Sequence, residues 1–251
     1  MIGAFVFIYG LLIGSFLNVC IYRIPREESI AFPPSHCTNC NNKIKAYDLI
    51  PVFSYLFLKG KCRHCGEKIS IRYPIIELVN ALLYLAVYIE YGFSFTFIKY
   101  VVFISLIVVI GMIDLDTTDV YLKTTLTGII LGVAFIIIGY FFNLSILDFV
   151  LGGVLSGGTI ALIIILTKGM GWGDFEICLL SGLFLGFKGS ICMLLISFVS
   201  GGVIGVVLIL LGKKNRKDYI PFGPFIALGG IITILFGQYL ISWYIALLGL
   251  S

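Results

Sequence analysis

Of the chain's 251 residues, 60% are hydrophobic and only 12% are charged, and its mean hydropathy is +1.10, whereas a soluble domain carries roughly 25% charged residues. This excludes a soluble globular protein and implies an integral membrane protein, with lipid as a partner and no nucleic-acid partner expected. The 13 Asp and Glu residues are too few to form a solvated coat, so each one in or beside an apolar run needs a reason.

Crossing ~30 Å of hydrocarbon takes about 20 apolar residues. On that measure the sequence predicts an all-α polytopic membrane protein with eight transmembrane helices, at about 2–22, 74–91, 96–113, 123–141, 146–167, 175–187, 189–211 and 224–248. The sixth is short, and its boundary with the seventh falls between Gly186 and Gly189. No internal repeat or low-complexity tract stands out. The expected division is a first transmembrane helix over 1–22, a cytoplasmic module over 23–73 and a helical membrane core over 74–251.

Orientation follows from Lys and Arg, which cytoplasmic loops retain. With the N-terminus outside, the inner segments 23–73, 114–123, 168–174 and 212–218 hold 15 of the 17 Lys and Arg, and only Lys99 and Lys188 lie elsewhere, so N-out, C-out is expected. The first helix has no preceding cation and no small-residue cleavage site after it, and Arg23 and Arg26 hold its end in the cytoplasm. It therefore reads as a retained helix, not a cleaved signal. "KKNRK" at 213–217 serves the same topology.

Within 23–73, Cys37, Cys40, Cys62 and Cys65 form two CxxC pairs separated by 21 residues. Two such knuckles bring four thiolates onto one Zn²⁺, and the glycine after Cys65 shapes the second turn. A thiol–disulfide pair is the competing reading, but a reducing compartment and the paired spacing favour zinc. About 50 residues without a hydrophobic core gain much of their folding free energy from such an ion. His36 and His64 are read as exposed neighbours, and Cys20, Cys178 and Cys192 as small core residues.

Glu27, Glu28, Asp48, Glu67 and Asp218 lie in polar segments and read as solvated, while Glu90 and Asp148 fall near the outer face. Glu77, the cluster Asp114, Asp116 and Asp119, and Asp174 with Glu176 remain, all expected at the cytoplasmic boundary. Two carboxylates held together at low dielectric share a proton, so that one acts as base toward water and the other as acid. Gly169, Gly171 and Gly173 in "GMGWGDF" let a substrate strand approach Asp174. On spacing alone, helix capping and a carboxylate-based, ion-coupled transporter stay open beside aspartyl protease chemistry. "GGVLSGG" at 152–158 and "SGGVIG" at 200–205 read as stripes for close helix packing, Asn18 as an interhelical hydrogen bond, and the Tyr and Phe residues mainly as lipid-facing or interfacial.

"GSFLNVCIYRIP" at 14–25, the paired CxxC module, "RYPIIELVNALLY" at 72–84, "MIDLD" at 112–116, "GMGWGDF" at 169–175 and "IPFGPFIALGG" at 220–230 resemble, in order, the signature segments of the type IV prepilin peptidase family. The resemblance implies an eight-helix GxGD-type intramembrane aspartyl protease of the bacterial cytoplasmic membrane. Its catalytic pair would be Asp114 and Asp174, with Gly171, Gly173 and Asp116 in support. The chain departs from the family pattern twice: no proline follows "IDLD", where Thr117-Thr118-Asp119-Val120 stands, and Glu176 replaces a frequent lysine.

The implied substrates are type IV prepilins or pseudopilins, whose short basic leader is removed after a glycine that precedes a hydrophobic helix. The scissile bond would then lie at the depth expected for the two aspartates. Segment 23–73 is itself basic, with nine Lys and Arg, so leader recognition would fall to local acids such as Glu27, Glu28, Asp48 or Glu77. The resemblance further implies N-methylation of the new N-terminus with S-adenosylmethionine, an activity attributed to the module. No GxGxxG follows a strand, and the residues that bind this cofactor are not legible.

Overall fold

The structure, a computed structural model, describes residues 1–215 and 218–247, so Arg216 and Lys217 of the expected topology-setting cluster lie outside the described residues. It is helical: α1 (Ile2–Arg23), the short α2 (Phe53–Phe57), α3 (Arg72–Tyr91), α4 (Phe95–Thr117), α5 (Leu122–Tyr140), α6 (Ile146–Thr167), α7 (Trp172–Leu210) and α8 (Gly223–Leu247). No strand occurs among the described residues; two isolated β-bridges lie in the 24–71 segment. Seven of these helices are long and apolar enough to cross a membrane.

The count of seven differs from the expected eight at one place. α7 runs 39 residues, but Gly186 inside it has φ 75° and ψ −179°, so the backbone leaves the helix there. At 1.5 Å per residue a straight helix of that length would reach about 58 Å, nearly twice the hydrocarbon thickness. The break sits at the expected boundary between the sixth and seventh helices. A non-glycine residue is strained at that φ, and the surroundings support the break: the Phe187 N–H donates to Asp148 Oδ1 at 3.4 Å, and Ser190 Oγ donates to the Gly186 carbonyl at 2.8 Å.

Two compact units divide the chain, Met1–Phe93 and Ser94–Ser251. α3, grouped in the sequence reading with the membrane core, packs on α1 within the first unit. The cause is a GxxxG stripe: a Cβ at Gly10 would lie 2.7 Å from Ala81 Cα, and one at Gly14 would lie 2.7 Å from Glu77 Cα. Backbones this close let polar side chains reach across. Asn80 Nδ2 donates to the Gly10 carbonyl at 2.8 Å, and Asn18 Nδ2 to the Tyr73 carbonyl at 3.1 Å, the interhelical bond expected of Asn18.

The cysteine segment between these helices contains a repeat that the sequence reading did not recognise. Cys37 N–H donates to the Asn42 carbonyl and Ile44 N–H to that of Ser35; displaced by 25 residues, Cys62 N–H donates to Glu67 and Ile69 N–H to Gly60. The bridges His36 to Lys43 and Lys61 to Lys68 obey the same offset. The residue after each second cysteine is left-handed, Asn41 at φ 55° and Gly66 at φ 73°, and Asn and Gly are the residues that tolerate it.

In the second unit, fully buried Phe103, Ile107, Phe184, Met193 and Ile226 fill the bundle, with Phe103 stacked on Phe184 at 5.2 Å. Lipid is as apolar as leucine, so association depends on packing and polar stitching. α6 and α7 obtain both from the "GGVLSGG" stripe: Gly152, Gly153 and Gly157 face α7, and Ser156 Oγ bonds to the Gly152 carbonyl at 2.7 Å and the Cys178 carbonyl at 2.8 Å. In the second stripe Gly201 meets Phe222 and Phe225, whereas Gly202 meets nothing within 4 Å. Cys20, Cys178 and Cys192 are buried, as expected of small core residues.

These packings predict a contrast. A Cβ at Gly182 would overlap Gly152 backbone and Ser156, whereas one at Gly158 meets nothing within 4 Å. Gly182→Ala is expected to destabilise the detergent-solubilised protein by about 1–3 kcal/mol, and Gly158→Ala to change thermal stability by less than about 0.5 kcal/mol. Equal midpoints for the two variants in thermal unfolding would contradict this account of the α6–α7 contact.

Candidate functional site

Asp114 lies in the last turn of α4 and Asp174 is the third residue of α7; they are 1% and 2% exposed. Each carboxylate is met by a backbone donor at a helix start. Gly223 N–H, at the first residue of α8, donates to Asp114 Oδ2 at 2.7 Å. Gly171 N–H, at the N-cap of α7, donates to Asp174 Oδ2 at 3.2 Å. Helix N-termini carry unsatisfied N–H groups and partial positive charge, so both carboxylates sit where an anion is favoured. The two also lie near enough for the charge of Asp114 to act on Asp174.

Glycine is required around this pair by space. A Cβ at Gly223 would lie 2.7 Å from Asp114 Oδ2, and one at Gly173 would lie 2.5 Å from Val120 Cβ. Gly173 thus lets the start of α7 seat against the α4–α5 connection, where Thr118 takes a left-handed turn at φ 57° and α5 starts at Leu122. The turn forms without the proline of the family pattern: Thr118 N–H bonds to the Asp114 carbonyl at 2.8 Å, and Thr117 Oγ1 to that of Ile113 at 2.9 Å.

Of the other acids in the cluster, Asp116 is exposed: two residues beyond Asp114 is about 200° around the helix, which turns it from the buried pair. Asp119 is exposed too, but its charge reaches both Asp114 and Tyr219. Glu176, at the frequent lysine position, accepts from Thr125 Oγ1 at 2.5 Å and so ties α7 to α5.

Tyr219, which sequence reasoning did not single out, borders the pair. Its hydroxyl and Asp174 Oδ2 lie 4.0 and 3.9 Å from one point, the place a Cβ at Gly171 would occupy. Partial burial, with the negative charges of Asp174, Asp114 and Asp119, pushes its phenol up to about 12. It is therefore a hydrogen-bond donor throughout the neutral range. The Gly223 N–H was missed as well. Both belong to or border the "IPFGPF" block, but no spacing rule pairs position 219 with Asp174 or position 223 with Asp114, 109 positions upstream.

In the first unit the four sulfurs of Cys37, Cys40, Cys62 and Cys65 lie within 4.8 Å of one another, and none is in a disulfide. Zn–S bonds of ~2.3 Å in a tetrahedron put neighbouring sulfurs about 3.8 Å apart, and Cys37 Sγ and Cys65 Sγ are 3.8 Å apart. The donor set fits a zinc ion. Knuckle N–H groups favour thiolates, lowering Cys40 and Cys62, whereas at Cys65 the Glu67 N–H is outweighed by desolvation and the other three sulfurs, which raise it. His36 instead places Nδ1 at 3.1 Å from the Pro34 carbonyl. Asp48, read as solvated, pairs with Arg63 at 2.6 and 2.9 Å, and that guanidinium holds its carboxyl below the usual carboxylate range.

Comparison with known proteins agrees with these features. Residues 8–91 match a family model described as the bacterial peptidase A24 N-terminal domain, and residues 101–206 match the type IV leader peptidase family. The prepilin leader peptidase/N-methyltransferase of Bacillus subtilis (strain 168) is 34% identical over 95% of this chain and 96% of its own length. Those of Aeromonas hydrophila and Pseudomonas putida are each 33% identical over 96% of this chain, covering 92% and 93% of their own lengths. No solved structure matches the chain. The ion-coupled transporter reading finds no support among these relatives. With seven membrane-capable helices and relatives matched almost end to end, this multi-pass protein of the bacterial cytoplasmic membrane belongs to the type IV leader peptidase family.

Proposed function

We propose that the chain is a prepilin leader peptidase that cleaves its substrate with an aspartyl dyad, Asp114 and Asp174, and methylates the new N-terminus. The observation that carries the proposal is the pair of buried carboxylates, each held by the N–H of a glycine at a helix start, with the charge of Asp114 acting on Asp174. Substrates would be type IV prepilins or pseudopilins, cut after the glycine that ends a basic leader. Eight membrane crossings, N-out and C-out, with the break at Gly186 separating the sixth from the seventh, put the leader and the aspartates on the same cytoplasmic side.

One ionised carboxylate takes a proton from water as the water oxygen attacks the scissile carbonyl carbon. The protonated partner donates to the carbonyl oxygen, and the tetrahedral intermediate collapses as its nitrogen gains a proton and leaves as the amine. Tyr219, protonated and flanking Gly171 as Asp174 does, is placed to share in donating to that carbonyl oxygen as charge develops on it. Gly171 and Gly173 leave room for an extended substrate strand. Asp116 supports the site at most from outside the buried pair. S-adenosylmethionine, when bound, supplies the methyl group. Zinc is structural: four thiolates fill a tetrahedral shell and leave no position for an activated water.

Purified protein incubated with a prepilin-like peptide, followed by mass spectrometry, reports cleavage and methyl addition together. Asp114→Asn and Asp174→Asn are each expected to abolish cleavage without loss of fold, since residues that act as a unit fail together. Asp116→Asn should retain measurable activity. Near-normal turnover in either dyad variant would refute the assignment.

Tyr219→Phe should lower kcat about 10- to 100-fold with little change in KM, as expected for a donor engaged mainly in the transition state. A rise in KM at unchanged kcat would make the tyrosine a substrate-binding side chain instead.

Elemental analysis should find about one zinc per chain. A Cys→Ser change at any of the four cysteines should lower metal content and open 23–73 to limited proteolysis. Cleavage should fall less than in Asp174→Asn, because the dyad is carried by α4 and α7. Cleavage that disappears on chelation while the fold survives would instead indicate a metalloprotease.

A further inference from the structure

The first unit contains a cavity of about 440 Å³ that the peptidase chemistry does not use. Its walls come from α1, the knuckles and the start of α3. The volume falls in the range of small-molecule sites, roughly 300–1,000 Å³, and is too small for a folded partner.

The lining offers three unlike kinds of recognition. Tyr22, Tyr55 and Tyr73 contribute aromatic surface, Lys43 and Lys68 contribute cations, and Glu77 contributes a carboxylate that is 7% exposed. The Val52 N–H donates to Glu77 Oε2 at 2.8 Å, and Ser15 bonds it as well. A carboxylate has about four acceptor positions, so these two donors leave capacity for a ligand. The lining as a whole has three carboxylates against four Lys and Arg side chains, one excess positive charge. That balance disfavours a Lys- and Arg-rich leader and suits a compact molecule bearing both signs of charge.

From this donor set we infer that the cavity holds the sulfonium methyl donor, with a tyrosine face against its purine, a cation on its amino-acid carboxylate and Glu77 near its positive groups. The inference rests on the methyl transfer proposed above and goes beyond it by assigning a binding site, built as much from the two membrane helices as from the cysteine knuckles. In the reaction the amine lone pair forms the N–C bond as the C–S bond breaks. The bonding pair goes to sulfur, which leaves as a neutral thioether, and the proton shed by the methylated ammonium passes to water.

The test uses the full-length, zinc-loaded protein in detergent. Equilibrium dialysis with S-adenosylhomocysteine measures affinity, and ultraviolet crosslinking of radiolabelled S-adenosylmethionine followed by peptide mapping locates the adduct. About one ligand per chain is expected, with the adduct within residues 15–77. Glu77→Gln keeps an acceptor for Val52 but removes the charge, and it should weaken binding about tenfold or more, as for loss of a charge-assisted hydrogen bond. Val19→Phe, which fills the cavity from α1, should weaken it at least as far; zinc content reports whether each variant folds, and Glu77→Gln decides if Val19→Phe does not. An adduct within 94–247, unchanged affinity in folded variants, or competitive displacement by an isolated basic leader peptide would each overturn the assignment. Methyl addition with the donor bound elsewhere refutes the cavity alone. Cleavage with neither donor binding nor methyl addition refutes the methyl-transfer reading as well.

Discussion

Burying a carboxylate among apolar helices costs several kcal/mol unless donors are already aimed at it, and the second unit is organised around that constraint. Asp114 and Asp174 both find donors in the N–H groups of glycines at helix starts, Gly223 and Gly171. A side chain at position 223 would collide with the carboxylate it serves, and one at 173 with Val120. The glycines of both motifs are therefore consequences of bringing helix ends close to acids. Flexibility is a secondary property of these positions.

Holding those ends in place demands a bundle that does not slide. Without a hydrophobic force between helices in lipid, α6 and α7 obtain rigidity from backbone contact at Gly152 and Gly182 and from the bridging hydroxyls of Ser156 and Ser190. The Gly186 break belongs to the same network, since Asp148 and Ser190 satisfy the backbone groups it frees. Free N–H and C=O groups in hydrocarbon would cost several kcal/mol each. The irregularity is tolerated because buried polar groups surround it.

Much of this was legible in the sequence, for identifiable reasons. Apolar windows gave the helices because hydrocarbon thickness fixes their length, and the Gly186 boundary appeared because a short span abutted a glycine. The cysteine cluster was legible because tetrahedral coordination imposes a spacing. The pairing of Gly10 and Gly14 with α3 was not, since a GxxxG stripe indicates that a helix approaches another but not which one. Tyr219, the Gly223 N–H and the Asp48–Arg63 pair were equally hidden, because each depends on long-range proximity that no local period encodes. Asp116 shows the converse: motif position draws it toward the dyad, whereas helical geometry turns it outward.

The two proposed reactions demand opposite proton states, and this bears on why the chain has two units. Peptide hydrolysis by a dyad needs one proton retained between carboxylates, which shielding from water favours. Methyl transfer needs a neutral amine beside a sulfonium cation: a carboxylate accommodates the cation, and access to water gives the amine's proton somewhere to go. On these proposals, a buried pair of aspartates in the second unit serves the one condition and a mixed-charge cavity in the first serves the other. Four cysteines on a single ion can hold the knuckle walls of that cavity without drawing on the apolar core, which leaves the membrane helices free to be shaped by the dyad.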